Sequence, residues 1–142
     1  MPSDFTSPEI QAFATGFPIT LLHFSMTLAI LLAGAGIYIL LTPHKEIRLI
    51  REGNIAAALS LGGALVGLAI PLAVSLGAST SAVEIGLWGV ATIAVQLLVF
   101  RLTEIALHGL PRRIAEGEVA AATLLVGVKL ASAIILAAAM SG

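Results

Sequence analysis

Residues Ile50 to Ile70 reappear without a gap as Ile114 to Ile134, and both copies run from a basic turn into an apolar helix. Ten of the twenty-one pairs are identical, at Ile50, Glu52, Gly53, Ala56, Ala57, Ala58, Leu61, Gly63, Ala69 and Ile70. The turns read IREGNIAAA and IAEGEVAAA, and the same 64-residue shift pairs His44 with His108 and Arg48 with Arg112. Polar residues take part in the match, so shared hydrophobicity does not explain it. A chain built this way is constrained to fold as two copies of one unit, and the apolar runs make that unit a membrane hairpin.

Composition leads to the same class. The 142 residues are 58% hydrophobic and 11% charged, whereas charged residues make up about 25% of a soluble domain. Four stretches, at about 19–41, 54–76, 85–106 and 118–140, are long enough to cross hydrocarbon that takes roughly 20 helical residues. The expected fold is an all-α membrane protein with four transmembrane helices, a tandem duplication of a two-helix hairpin. Its parts are an N-terminal outside segment 1–18, a first hairpin 19–76, an outer loop 77–84 and a second hairpin 85–142. Within the first part, Ser7-Pro8-Glu9 reads as a helix start, for an interfacial helix or a disordered lead. No basic residue precedes the first apolar run, so no cleavable signal peptide is expected. The net charge of −1 gives no field that would recruit nucleic acid. The absence of cysteine removes disulfides and thiolate chemistry.

Lysine and arginine placement sets the expected orientation. Lys45, Arg48 and Arg51 lie between spans one and two, Arg112 and Arg113 between three and four, and the termini and outer loop have none. Both termini are therefore expected outside, with a pseudo-twofold axis along the membrane normal. Thr42-Pro43 reads as the start of a short amphipathic helix that carries Lys45, Glu46, Arg48, Arg51 and Glu52 at headgroup level, and Gly53 as its end. Arg48, Arg51, Glu52, Arg112, Arg113 and Glu116 form a candidate cytoplasmic turn surface. The plainer account of Glu52 and Glu116 is that a carboxylate near a helix N-terminus complements the dipole while the following Gly makes the bend.

Within the bilayer, Lys129 demands explanation. It falls about 16 Å into span four, near the midplane, where insertion of a lysine costs roughly 2.5–3.5 kcal/mol. Gln96 reaches a similar depth from the opposite side and is the expected polar partner, with Ser25, Thr27, Thr92 and Ser132 as further acceptors. Counting along the helices puts no carboxylate at that depth. Lys129 then is neutral, faces a wet cavity or attracts an anion, and it lines a pathway or serves helix association. Its repeat counterpart is Leu65. Arg101 and Glu104 lie near the inner end of span three, where snorkelling and an i,i+3 ion pair are expected. Gly63-x-x-x-Gly67 gives span two a close-packing face.

The run TPHKEIRLIREGNIAAALSLGGALVGLAIPLA, followed by the Trp88 to Phe100 span and the turn PRRIAEGEVAAA, resembles the bacterial inner-membrane family catalogued as domain of unknown function 350. The resemblance covers about Leu21 to Met140 and implies paired two-helix units in a bacterial inner (plasma) membrane. It implies no activity, substrate or catalytic residue. One departure is that the second copy carries Lys129 in place of a Gly-rich face.

No nucleophile and base at recognisable spacing, no phosphate loop and no metal-ligand cluster is present, so an enzyme is not expected and no cofactor is implied. Two functional classes remain. One is a small channel or transporter subunit using Lys129 and Gln96, as a homo-oligomer because four short helices enclose little space, with anions or protons favoured. The other is a non-catalytic anchor or accessory protein whose basic turns bind a cytosolic protein partner or anionic lipid. Burial of Lys129 against Gln96 in a dry four-helix core favours the second; exposure to a water-filled opening or a subunit interface favours the first.

Overall fold

A computed structural model describes residues 7–42 and 45–142. Six helices follow one another: α1 (Pro8–Leu41), α2 (Glu46–Arg51), α3 (Ile55–Ala78), α4 (Ala82–Ala106), α5 (Leu110–Ala115) and α6 (Val119–Ser141). Helices α1, α3, α4 and α6 are each long and apolar enough to cross a membrane. The outside of the bundle stays apolar, with Leu32, Leu40, Val90, Leu98 and Ile135 exposed, a surface that hydrocarbon and not water solvates. The chain is an all-α multi-pass membrane protein.

Helix α1 starts where Ser7 accepts a hydrogen bond from the Ile10 amide at 3.3 Å and Pro8 takes the first turn, a capped entry that needs no partner for the proline nitrogen. It then continues through Pro18 to Leu41. From Pro8 onward, the segment expected to stand apart as residues 1–18 is therefore the first part of the long helix. Pro18 removes one intrahelical bond without ending the helix.

The two turns share one backbone. Helices α2 and α5 occupy positions 64 residues apart, and Gly53 and Gly117, each at φ 85°, follow them. Glycine takes that left-handed conformation without a Cβ clash. In both turns two carbonyls near the helix end are satisfied in the Schellman pattern: Gly53 N to Ile50 O at 2.9 Å with Asn54 N to Leu49 O at 2.9 Å, and Gly117 N to Ile114 O at 2.9 Å with Glu118 N to Arg113 O at 3.0 Å. The start of α2 differs from expectation. Thr42 closes α1, its hydroxyl donating back to Tyr38 O at 2.7 Å, and α2 begins at Glu46 after Lys45. Pro43 and His44 lie outside the described residues.

At the opposite end only residues 79–81 join α3 to α4. Ser81 accepts from Glu84 N at 3.2 Å while Glu84 accepts from Thr80 N at 2.8 Å, a reciprocal cap of the capping-box kind.

Glycines register the spans against each other. Gly34 and Gly89 receive Ile93 and Ile30, so α1 and α4 run parallel, and Gly63 and Gly67 bring α3 against Val126 and the Lys129 carbonyl of the parallel α6. The α3–α6 seam is the most extensive helix contact in the bundle. Its turn end is filled by Ala56, Ala57, Ala121, Ala122 and Leu125, capped by Leu110 and Ile114 of α5.

A Cβ on Gly63 would stand 2.5 Å from Val126 Cγ2, whereas one on Gly62 would meet nothing within 4 Å. Val126 is stiff at χ1 and cannot yield cheaply. Gly63→Ala is expected to destabilise the protein by about 1–3 kcal/mol, and Gly62→Ala to be neutral or to gain up to about 1 kcal/mol. Thermal unfolding of both variants in the same detergent checks the contrast.

Candidate functional site

Lys129 is fully buried, yet it is not alone. Its ammonium donates a hydrogen bond to the Tyr38 hydroxyl, and Tyr38 in turn donates to Glu46 Oε1 at 3.2 Å. Ser60 donates to the same carboxylate oxygen at 3.1 Å. Glu104 Oε1 faces the ammonium at 3.6 Å, and Arg101 lies 3.7 Å from the other oxygen of Glu104. The rings of Tyr38 and Phe100 complete the shell, with their centroids 4.4 Å and 5.1 Å from Nζ. Their quadrupoles favour a cation there. Helices α1, α2, α3, α4 and α6 each contribute to this one cluster.

Side-chain direction explains why these groups meet. Cα–Cβ bonds lean toward the N-terminus of their helix. Helices α1 and α4 run toward the turns, so Tyr38 and Glu104 lean away from them. Helix α6 runs away from the turns, so the long Lys129 side chain leans back toward them. Two expectations are corrected here. A carboxylate, Glu104, does reach Lys129, because counting depth by Cα position ignores several ångströms of opposed side chain. Glu46, expected on a surface helix, is fully buried, because α2 turns that face inward against Ser60 and Tyr38.

Gln96 does not bind the ammonium. Its amide donates to Gly67 O at 3.1 Å, with longer approaches to Lys129 O at 3.5 Å and Ser132 Oγ at 3.4 Å. Its carbonyl oxygen is buried without a hydrogen bond among the described residues. Gln96 thus ties α3, α4 and α6 together one level above the charged cluster. Of the other acceptors considered, Ser132 bonds the Lys129 carbonyl, Thr92 the Met140 sulfur and Thr27 the His23 carbonyl.

The turn surface is organised by ion pairs repeated in both halves: Arg48 to Glu52 at 3.2 Å and Arg112 to Glu116 at 3.3 Å, all four side chains exposed. Exposed pairs of this kind contribute little to stability. Arg113 pairs with Glu118, and hydrogen bonding from that guanidinium holds the Glu118 carboxyl below the usual carboxylate range. Arg51 stays exposed on the same face. The turns are locked together by a residue that inspection of the sequence passed over. Asn54 caps α3 by accepting from Ala57 N at 3.0 Å and donates across the repeat to Ile114 O and Ala115 O, each at 3.1 Å.

A signal for the cluster was present in the repeat itself. Shifting by 64 residues pairs Tyr38, Glu46, Ser60, Gln96, Glu104 and Lys129 with Leu102, Leu110, Leu124, Leu32, Leu40 and Leu65. Each of these six polar residues stands where the other copy has leucine.

Two recesses flank the buried polar groups. A groove of about 900 Å³ at the turn end is lined by Arg101, Glu104, Ile105, His108, Pro111 and Arg112. A smaller one of about 260 Å³ at the other end is lined by Ser75, Ser79, Glu84, Trp88 and Met140. Among the described residues, no group of three or more His, Asp or Glu side chains is placed to hold a metal ion.

Removing one partner of a buried ion pair strands the others, typically at about 3–5 kcal/mol. Lys129→Met is expected to cost that much, and adding Glu104→Gln to restore part of it; additivity in a double-mutant cycle of unfolding in detergent would show that the two do not interact. Asn54→Asp keeps the capping oxygen but loses both donated bonds, and is expected to lower stability by about 1–2 kcal/mol in the same assay.

The family described as Domain of Unknown Function (DUF350) matches residues 12–140 of this chain. The UPF0719 inner membrane protein YjfL of Escherichia coli (strain K12) is 32% identical over 119 residues, covering 84% of this chain and 90% of the relative. The protein of the same name from Escherichia coli O157:H7 matches equally. No solved structure gives a significant match.

Proposed function

Because the chain belongs to the DUF350 family and is an inner-membrane protein with four apolar spans, we propose that it is a small transport protein whose buried cluster carries protons. The observation that carries this reading is the unbroken hydrogen-bonded series from the Lys129 ammonium through the Tyr38 hydroxyl to Glu46, with Glu104 on the other side of the same ammonium. Ionisable groups inside a membrane are costly, and groups of this kind, linked together, are what a proton relay requires. Two carboxylates around one lysine disfavour an anion, which leaves protons of the two substrates that Lys129 by itself suggested.

The polar groups form a route. Glu104 lines the turn-end groove; Met140 and the buried Ser75 line the opposite recess. Between them lie Thr92, bonded to Met140, and Gln96, one helical turn along α4 and beside the Lys129 backbone. Placing the basic turns in the cytoplasm, by the positive-inside rule, makes Glu104 the inner access point. Protons need no aqueous bore, so a tight bundle carries them without the oligomer that a wider channel demands. Substitution of leucine by polar residues in only one copy at each position fits an asymmetric path through a pseudosymmetric frame.

A second reading, a non-catalytic accessory protein presenting Arg48, Arg51, Arg112 and Arg113 to a partner, is favoured by one observation. Lys129 and Gln96 are both fully buried, and neither lines either of the two recesses.

Proton uptake into liposomes carrying the purified protein, driven by a potassium diffusion potential and followed with an internal pH dye, separates the two. Wild-type protein is expected to acidify the lumen faster than protein-free vesicles, and Tyr38→Phe, which keeps the ring against Phe100, to slow uptake by about tenfold, the cost of roughly 1.4 kcal/mol on the barrier. Wild-type flux no faster than the lipid background between pH 5 and 8 would sink the transport reading in favour of the accessory one.

A further inference from the structure

The groove between the turn end of α4 and helix α5 borders the buried cluster at Glu104 and carries further groups, Arg112 and His108, that the cluster does not use. One wall is membrane-spanning helix, with Arg101 and Ile105; the other is Pro111, Arg112 and Ala115 of α5, and His108 sits at the rim between them. Arg101 is 45% exposed, and its ion pair to Glu104 is long at 3.7 Å. Along α4 the neighbours of Arg101 include the exposed Leu102 and Ile105, an apolar surface of the kind that hydrocarbon solvates. A guanidinium so placed needs an oxygen acceptor at the level of the headgroups, and its planar fork matches two oxygens of a phosphate. Arg112 is 87% exposed and its single carboxylate partner, Glu116, is also exposed, so its remaining donors are available to the same anion. Glu104 also lines the groove, its carboxylate held between Arg101 and Lys129, and much of the remaining lining is carbon, from Ile105, Pro111 and Ala115.

We propose that this groove binds the headgroup of one anionic phospholipid, with the phosphate between Arg101 and Arg112, His108 at the headgroup and the first methylenes of an acyl chain along Ile105 and Pro111. Basic pockets beside spanning helices are suited to such headgroups. The source is lipid and not free phosphate because one wall is itself lipid-facing, so that a bilayer lipid reaches the guanidinium without leaving the membrane. The site is single. In the first half the positions matching Arg101 and Glu104 are Ile37 and Leu40, both exposed and apolar, so the spanning helix there offers no guanidinium to share a phosphate with Arg48 or Arg51. The inference does not depend on proton transport.

Native mass spectrometry of the purified full chain, titrated with phosphatidylglycerol or phosphatidylcholine, tests it. One phosphatidylglycerol per chain is expected to bind at least about tenfold more tightly than phosphatidylcholine. Arg101→Gln with Arg112→Gln is expected to abolish that preference, and Arg48→Gln with Arg51→Gln, a charge-matched change in the other turn, to keep it. Should the first pair fail to fold, Arg112→Gln and His108→Ala singly, both at exposed positions, are each expected to weaken the preference several-fold. Equal loss in the two double variants means a diffuse charge effect and overturns the site, as does an unchanged preference in Arg112→Gln and His108→Ala. Displacement of the lipid by inorganic phosphate at matched concentration would assign the groove to free phosphate and overturn the lipid.

Discussion

A lysine ammonium surrounded by hydrocarbon is tolerated only if other groups bring it oxygen and negative charge, and the bundle is arranged around supplying them. Tyr38 comes from α1, Glu46 from α2, and Glu104 from α4. Tyr38 and Glu104 meet Nζ directly and Glu46 meets it through the Tyr38 hydroxyl, and that requirement sets the rotation of three helices about their axes. Desolvating such charges is costly, and one lysine with two glutamates is not charge-balanced by itself. Arg101 at the edge of the cluster supplies the fourth charge from a half-exposed position, where water or headgroups carry part of its solvation.

Two further constraints act on this frame. Close approach along the α3–α6 seam, possible because Gly63 and Gly67 have no side chain to displace Val126 and Phe100, brings the Lys129 backbone within reach of Gln96. The turns are then held in register by Asn54, whose amide spans from one copy to the other. The counterpart of Asn54 is Glu118, which cannot donate and bonds Arg113 instead. The tie between turns runs in one direction only, so the asymmetry of the cluster extends to the surface.

Much of this was legible in the residues. Four spans, the duplicated turn with its glycine at Gly53 and Gly117, and the oddness of Lys129 all follow from hydropathy, spacing and the cost of a buried charge. Partner identity did not follow. Depth counted along one helix misses side chains that lean toward each other from antiparallel helices, which is why Glu104 looked too far away. Glu46 sits among Lys45, Arg48 and Arg51, and a charged stretch reads as a solvated face even when one member turns inward. Tyr38 carries no periodic signal among apolar neighbours. Comparing the two copies position by position exposes all three, because each replaces a leucine.

Tyr38 and Lys129 are 91 residues apart, and a ribosome adding roughly 5–20 residues per second leaves an interval of roughly 5–20 s between them. Tyr38, Glu46 and Ser60 are all synthesised before Lys129, so the first hairpin, complete at Ala78, is made before the cation it packs around. The early half therefore has to wait for that cation until the last helix arrives. A product truncated before α6 would carry Glu46 and Glu104 without the lysine that faces them in the folded chain.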